Sequence, residues 1–326
     1  MNNSTRRTVL AMAAALATAV AWPAHADAFP TNPIKLVVPY PPGGASDVTA
    51  RLVADKMQAS LKVPVVVENR PGANGNLAAD LVARAPADGY TLLLANVGPN
   101  AISQSIYPNL TYDTVKSFAA VSQTTLVPIV LVAGPAMPAK NFPELLDELK
   151  RNPGKHTYAS AGNGSSNHLT GAMFTNMAGV KAVHVPYKGD TPALTDVMAG
   201  HVSMMFTTAV AAMPFVKSGK LRVLGIATNQ RVPALPEVPT IAEAGIKGFD
   251  SSSWGGIVAP AGTPAPVIQL LHKHATAALQ QPDVKSKLAD LGAVLVASSP
   301  DDFQKFIRSE TDKWGQVAKS NSIRAD

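Results

Sequence analysis

Cysteine is absent from the 326 residues. That absence excludes a disulfide framework, a thiolate nucleophile, an iron–sulfur cluster and cysteine-ligated zinc. Aromatic residues make up only 6% of the chain, too few to build stacking platforms for single-stranded nucleic acid. Charged residues are 15%, below the roughly 25% of an average soluble domain. The net charge of +6 is small and scattered, which argues against a nucleic-acid partner. Apolar residues at 46% exclude disorder. No apolar run reaches the ~20 residues that span a bilayer.

Enzyme signatures are missing as well. The chain has no Gly-x-x-x-x-Gly-Lys-Ser/Thr phosphate loop, no His-Glu-x-x-His and no Gly-x-Ser-x-Gly elbow. Gly162-x-Gly164 lacks the third glycine of a dinucleotide fingerprint. The histidines do not cluster, and His272 and His274, two apart on a predicted helix, point away from each other. Ser165 and Ser166 precede His168 in what reads as a helix cap, where serine is favoured for its own reasons. No catalytic residue, metal site or cofactor is expected.

What is present begins with an address. Arg6 and Arg7 form a positive start, Val9 to Trp22 an apolar run, and Ala24-His25-Ala26 a small-x-small cleavage site. Residues 1–26 are therefore expected to be an export signal cut after about Ala26, of the ordinary secretory or the twin-arginine type. The mature chain is expected to be periplasmic.

Behind it, short β-rich runs alternate with longer helical patterns. The patterning predicts strands at Ile34–Val38, Val63–Val67 and Thr91–Ala95, with helices over Ser46–Leu61 and Gly75–Arg84. A second series predicts strands at Val127–Val132, Thr157–Ser160, Ala182–Val185, Val202–Phe206 and Arg222–Ala227. Its helices fall at Phe142–Lys150, Ser166–Ala178 and Pro192–Met198. Past a strand at Ile257–Ala259, helices follow at Pro264–Gln280, Asp283–Leu291 and Asp301–Lys319. Near-continuous apolar strands between helices predict parallel sheet covered on both faces. The expected fold is α/β, with two lobes joined by two crossing segments around a central cleft. Residues 27–125 plus 253–326 would form the first lobe and 126–252 the second.

In such folds ligands collect where strands lead into helix N-termini. Three such loops carry glycine: Tyr40-Pro41-Pro42-Gly43-Gly44-Ala45-Ser46, Arg70-Pro71-Gly72-Ala73-Asn74-Gly75, and Ser160 to His168. Each reads either as a tight turn with a cap or as an anion-binding cradle of backbone N–H groups. The first and third, in separate lobes, could clamp one carboxylate from two sides.

At these loops the sequence resembles the substrate-binding proteins of tripartite tricarboxylate transporters, the Bug family. The resemblance rests on Val38-Pro39-Tyr40-Pro41-Pro42-Gly43-Gly44 with Asp47 and Arg51, Glu68-Asn69-Arg70-Pro71-Gly72-Ala73 and Asp88-Gly89-Tyr90-Thr91-Leu92-Leu93. It continues through Ala161-Gly162-Asn163-Gly164-Ser165, Val185-Pro186-Tyr187-Lys188-Gly189, Leu235-Pro236-Glu237-Val238-Pro239-Thr240 and Ala259-Pro260-Ala261-Gly262-Thr263-Pro264. It implies a type II periplasmic-binding-protein fold closing over a small carboxylate. By the same match the ligand would meet Tyr40, Pro42, Gly43, Gly44 and Ala45, then Asn96, Gly98 and Asn100. From the other lobe it would meet Ala161, Gly162, Gly164, Ser165 and Ser166, together with Tyr187, Lys188 and Gly189.

One departure stands out. Many members read Val-Asp-x-x-Phe-Asp where this chain has Val202-Ser203-Met204-Met205-Phe206-Thr207. An acid lost at Thr207 argues against an amino-acid ligand, and Thr207 and Thr208 would offer hydroxyls instead. The resemblance implies a monomer that delivers its ligand to membrane permease subunits. A sensor presenting its closed form to a signalling receptor would have the same fold and site, and an exported carboxylate-acting enzyme is the third reading.

Overall fold

The structure is a computed structural model that describes residues 29–325 apart from Pro233 and Leu291. The leader expected over 1–26 lies outside the described residues. The chain divides into Met1–Thr31 and Asn32–Asp326, and every described helix and strand belongs to the second unit.

The first apolar run, Ile-Lys-Leu-Val-Val, forms β1 (Ile34–Val38), with all but Lys35 buried. It pairs in parallel with β2 (Val65–Asn69) and β3 (Thr91–Asn96). Helices α1 (Ala45–Leu61) and α2 (Asn76–Ala83) make the crossovers. A short π-helical turn at Gly98–Ile102 and α3 (Ser103–Ile106) follow β3. The chain then runs through β4 (Phe118–Ala133), a strand of 16 residues.

The C-terminal end of β4 opens the second half of the sheet. There α4 (Phe142–Arg151) leads to β5 (Thr157–Ser160), α5 (Ser166–Ala178) to β6 (Val183–Pro186), and α6 (Asp190–Ala199) to β7 (Met204–Thr208). Helix α7 (Ala209–Lys217) and β8 (Arg222–Ile226) complete it. The chain returns along β9 (Ser252–Pro260), beside residues 118–128 of β4, and ends in α8 (Ala265–Leu279), α9 (Pro282–Asp290), a two-residue β10 (Val294–Leu295) and α10 (Pro300–Ser320). The strand order is β2-β1-β3-β9-β4-β7-β5-β6, with β8 and β10 also paired to β4.

Two expectations need correction. The sheet is mixed, because β9 lies antiparallel between β3 and β4, and β4 is antiparallel to β7 and β8. A segment that leaves one half and a segment that comes back run in opposite directions when they are neighbours. The strand expected at Val127 begins at Phe118: Ser122, Gln123, Thr124 and Thr125 lie ahead of the expected strand but are buried strand residues. The β4–β9 register shifts at Ala120/Ser122 and again at Gln123/Thr125, the signature of bulges that bend a strand pair.

Each half has its own apolar core. Trp254, Phe303, Trp314 and Leu93 pack in the first. Phe142, Phe174, Phe206 and Phe249 pack on one face of the second, and Val130, Val132, Met205 and Leu194 on the other. The indole N–H groups of Trp254 and Trp314 both donate to Oε2 of the buried Glu310, each at 3.0 Å. Among the described residues no helix is long and apolar enough to cross a membrane.

Candidate functional site

Four strand-to-helix turns converge on one cavity of about 550 Å³. The first runs from β1 into α1. Gly43 takes a positive φ of 88° there, which a side chain would resist. Asp47, buried in the first turn of α1, holds the turn in place: Oδ2 accepts from Gly43 N at 2.9 Å and Oδ1 from Asn69 Nδ2 at 2.9 Å. The Arg51 guanidinium, bonded to the same carboxyl, pulls its pKa down to about 2, helped by the Gly43 and Asn69 donors. Asp47 is thus ionised at neutral pH, and the Gly43 N–H is turned towards it.

The second turn runs from β5 into α5. Gly162 N donates to Ser160 Oγ at 3.1 Å, and Gly164 N to His168 Nδ1 at 3.2 Å. Ser165 caps α5, its Oγ accepting from His168 N and donating to Gly162 O. The hydroxyl is therefore committed to the cap, and the imidazole to the loop. The His168 ring stacks on His184 at 3.8 Å and 4°, and His184 Nε2 meets Ser160 Oγ at 2.6 Å. Burial pushes the two histidines down to about 4 and about 3, so both are neutral at pH 7. The third turn enters α6 through Gly189, at φ 117°, and the fourth enters α7 through Thr208, whose Oγ1 accepts from Ala211 N.

These turns leave helix-start amides without protein partners. The N–H groups of Ala45 and Ser46 on α1, Ser166 and Asn167 on α5, and Asp190 and Thr191 on α6 lie beyond the reach of any in-helix acceptor. None of the six is bonded elsewhere in the described chain, and all six residues line the cavity. Helix N-termini carry partial positive charge, so the cavity has an anion-favouring wall on several sides. No lysine, arginine or histidine lines it, and Asp190 is its single charged side chain among the described residues.

The floor comes from the long strands. Thr124 and Thr125 on β4 face Trp254 and Gly255 on β9, and Thr124 Oγ1 is buried without a hydrogen-bond partner. On the first side Tyr40 donates its hydroxyl to Asn96 Oδ1 at 3.2 Å. Burial raises the Tyr40 pKa, with Asp190 adding to the shift, so it stays protonated. Across the cleft, Asn74 Nδ2 donates to Gly164 O at 3.1 Å.

Of the residues singled out from the sequence, Tyr40, Gly43, Gly44, Ala45, Asn96, Gly98, Ala161, Ser165, Ser166, Gly189 and Thr208 line the cavity. Seven do not. Pro42 and Lys188 are exposed. Asn100 is buried beneath the site, its Oδ1 accepting from Asn96 N at 3.1 Å. Gly162 and Gly164 shape their turn from behind, and the Tyr187 hydroxyl points to Asp196 at 2.6 Å. Thr207 is buried and donates to Asp190 Oδ1 at 3.4 Å. That last contact removes the premise drawn from position 207: a carboxyl does reach the cleft, carried by α6 instead of β7.

Asn74 and Asn167, which lie within two of the glycine loops but are not among the residues singled out, join the site, and so do Thr124 and Asp190, which no signal marks in the sequence. The expected start of α6 at Pro192 hides Asp190. Proline is tolerated in the first turn because its missing N–H is an orphan there anyway, so the helix starts two residues earlier. Among the described residues no group of three or more His, Asp or Glu side chains is placed to hold a metal.

Comparison with known proteins fits this geometry. Residues 49–323 match the family described as the tripartite tricarboxylate transporter family receptor. Protein BugT of Bordetella pertussis is 37% identical over 306 residues, covering 94% of each chain. Among solved structures, R. palustris Rpa4515 with adipate superposes with a TM-score of 0.82 at 34% identity, covering 91% of this chain and 99% of that one. MatC (Rpa3494) from Rhodopseudomonas palustris with bound malate gives 0.79 at 34% identity, covering 89% and 99%. The architecture is that of the two-lobed periplasmic binding proteins, and the chain belongs to the tripartite tricarboxylate transporter receptor family.

Proposed function

We propose that this protein captures a small carboxylate between two closing lobes and delivers it to the permease of a tripartite transporter. The observation that carries the reading is the set of unpartnered amides on α1, α5 and α6 around one cavity without a cationic side chain. Such a wall binds a carboxylate through hydrogen bonds alone. A hydrogen bond to a charged group contributes about 1.5–3 kcal/mol. Three to five of them, less the cost of closure, reach the ~8 kcal/mol of a micromolar affinity.

The donors come from both sides of the cleft, so a ligand that bonds to all of them favours the closed arrangement and shifts the equilibrium towards it. In this proposal the lobes are residues 27–125 with 253–326, and residues 126–252, hinged where β4 and β9 cross. The adipate and malate in the related structures support a carboxylate as the ligand class. The basic, apolar, small-x-small leader supports export to the periplasm, where the protein would act as a monomer that performs no chemistry on its ligand.

The test is a thermal-shift screen of mono-, di- and amino-carboxylates on the purified mature chain, followed by calorimetry on those that raise its melting temperature. A carboxylate that binds and is recovered unchanged is the expected result. Recovery of a converted product, or no stabilisation by any carboxylate, would overturn the reading.

A further inference from the structure

Among the described residues Asp190 is the one charged side chain in the cavity lining, and it sits half-buried at the first position of α6. Its Oδ1 is already in use, accepting from Asn167 Nδ2 at 3.0 Å and Thr207 Oγ1 at 3.4 Å. Asn167 Nδ2 also donates to Phe206 O at 2.8 Å, which fixes the amide and with it the carboxyl. Every group bonded to Asp190 is a donor, so the carboxyl is held as an acceptor. Its Oδ2 has no partner among the described residues. Oδ2 is thus left open to the cavity, a half-buried acceptor with no lysine, arginine or histidine among the lining residues to neutralise it.

We propose that Asp190 determines specificity, and that the ligand is an amino carboxylate whose cationic nitrogen sits against Asp190 Oδ2 while its carboxylate takes the helix-start amides. This rests on the carboxylate-binding function proposed above and names the ligand class within it. The two demands of the cavity are opposite in sign: a wall of N–H donors seeks an anion, and Asp190 seeks a cation. A zwitterion meets both. A plain dicarboxylate that filled the same space would bring a second negative charge to Asp190, a repulsion strengthened by partial burial. Burial raises the pKa of Asp190, as expected of an anion that a ligand has to complete.

The experiment measures calorimetric affinities of the mature protein for matched pairs: aspartate and succinate, glutamate and glutarate, 6-aminohexanoate and hexanoate. The wild type is expected to bind the amino member of at least one pair about tenfold or more tightly than its partner. Asp190→Asn keeps the size and the Oδ1 acceptor, and it should bring that preference to about threefold or less. Asp190→Asn combined with Thr207→Asp returns a carboxyl to the same corner and should restore much of it. A wild type that prefers the amine-free members, or a preference untouched by Asp190→Asn in a variant with normal melting, overturns the assignment of Asp190 while the carboxylate reading survives. Failure of all six compounds and of other carboxylates to bind overturns the carboxylate reading itself, and this one with it.

Discussion

Gly164 gives the sharpest test of closure. It sits on the β5–α5 turn at φ 76°, and a Cβ added there would come closer than 3.0 Å to Ile106 Cδ1 on α3, across the cleft. Carbon atoms rest about 3.5–4.0 Å apart, so the overlap is at least ~0.5 Å. Gly164→Ala therefore carries two costs. The left-handed backbone costs about 1–2 kcal/mol whether the lobes are apart or together, and lowers stability. The clash with Ile106 arises only when the lobes meet. Overpacking of this size costs about 1–3 kcal/mol, which weakens ligand affinity roughly 5- to 150-fold. Ile106→Val removes the clashing methyl and should return most of the affinity to Gly164→Ala, while alone it costs about 0.5–1.5 kcal/mol of stability. Calorimetry on the tightest carboxylate, across the two single variants and the double, reads the coupling directly. Unchanged affinity in Gly164→Ala, or a loss that Ile106→Val fails to relieve, would refute closure through this contact.

Other consequences are open to direct measurement. Asp47 has a folded-state pKa of about 2 against 3.8 unfolded, so its contribution of about 2 kcal/mol is full above about pH 4 and is lost as the pH falls towards 2. Asp47→Asn should be less stable in denaturant titrations at neutral pH, by a margin that shrinks on acidification; a constant margin counts against the ion-pair account. His168 and His184, at about 4 and about 3 against 6.5, confer stability that is full above about pH 6.5 and declines as the pH falls through the folded values. The melting temperature of His184→Gln should accordingly depend less on pH between about pH 7 and about pH 4 than that of the wild type, and equal slopes would contradict this. Thr124→Val replaces a buried, unpartnered hydroxyl by a methyl of the same shape. The free protein should be as stable or up to about 1 kcal/mol more stable, with affinity reduced about 3- to 10-fold; a destabilised free protein would show that the hydroxyl serves the fold.

Much of the architecture is legible in the residues themselves. β5 and α5 fall where the alternation and the Ser165 cap place them, because the Ser165 hydroxyl, the glycine at 179 and the apolar period all agree. β4 is legible only from Val127 onward, since the polar run at residues 122–125 interrupts its apolar pattern and gains its strand character from pairing with β9, more than a hundred residues away. The same holds at the site. Local signals mark the turns at Gly43 and Gly162, and the family resemblance the one at Gly189. Which N–H groups remain unpaired depends on contacts such as Asp47 to Gly43 and His168 to Gly164, and these follow from side-chain geometry instead of motif. Asp190 is hidden for a related reason. Nothing local distinguishes a carboxyl at a helix start that faces solvent from one that Asn167 and Thr207 hold inside a cavity.

The position of β9 bears on how the molecule comes into being. It is inserted between β3 and β4, yet it is synthesised about 120 residues after the end of β4. Until residue 260 has been made, the first lobe has a gap in the middle of its sheet, with two unpaired strand edges and no floor for Trp254 to complete. Pairings this distant in sequence form late and raise the folding barrier. A chain wired in this order resists early folding and closes its central sheet only when nearly all of it is present.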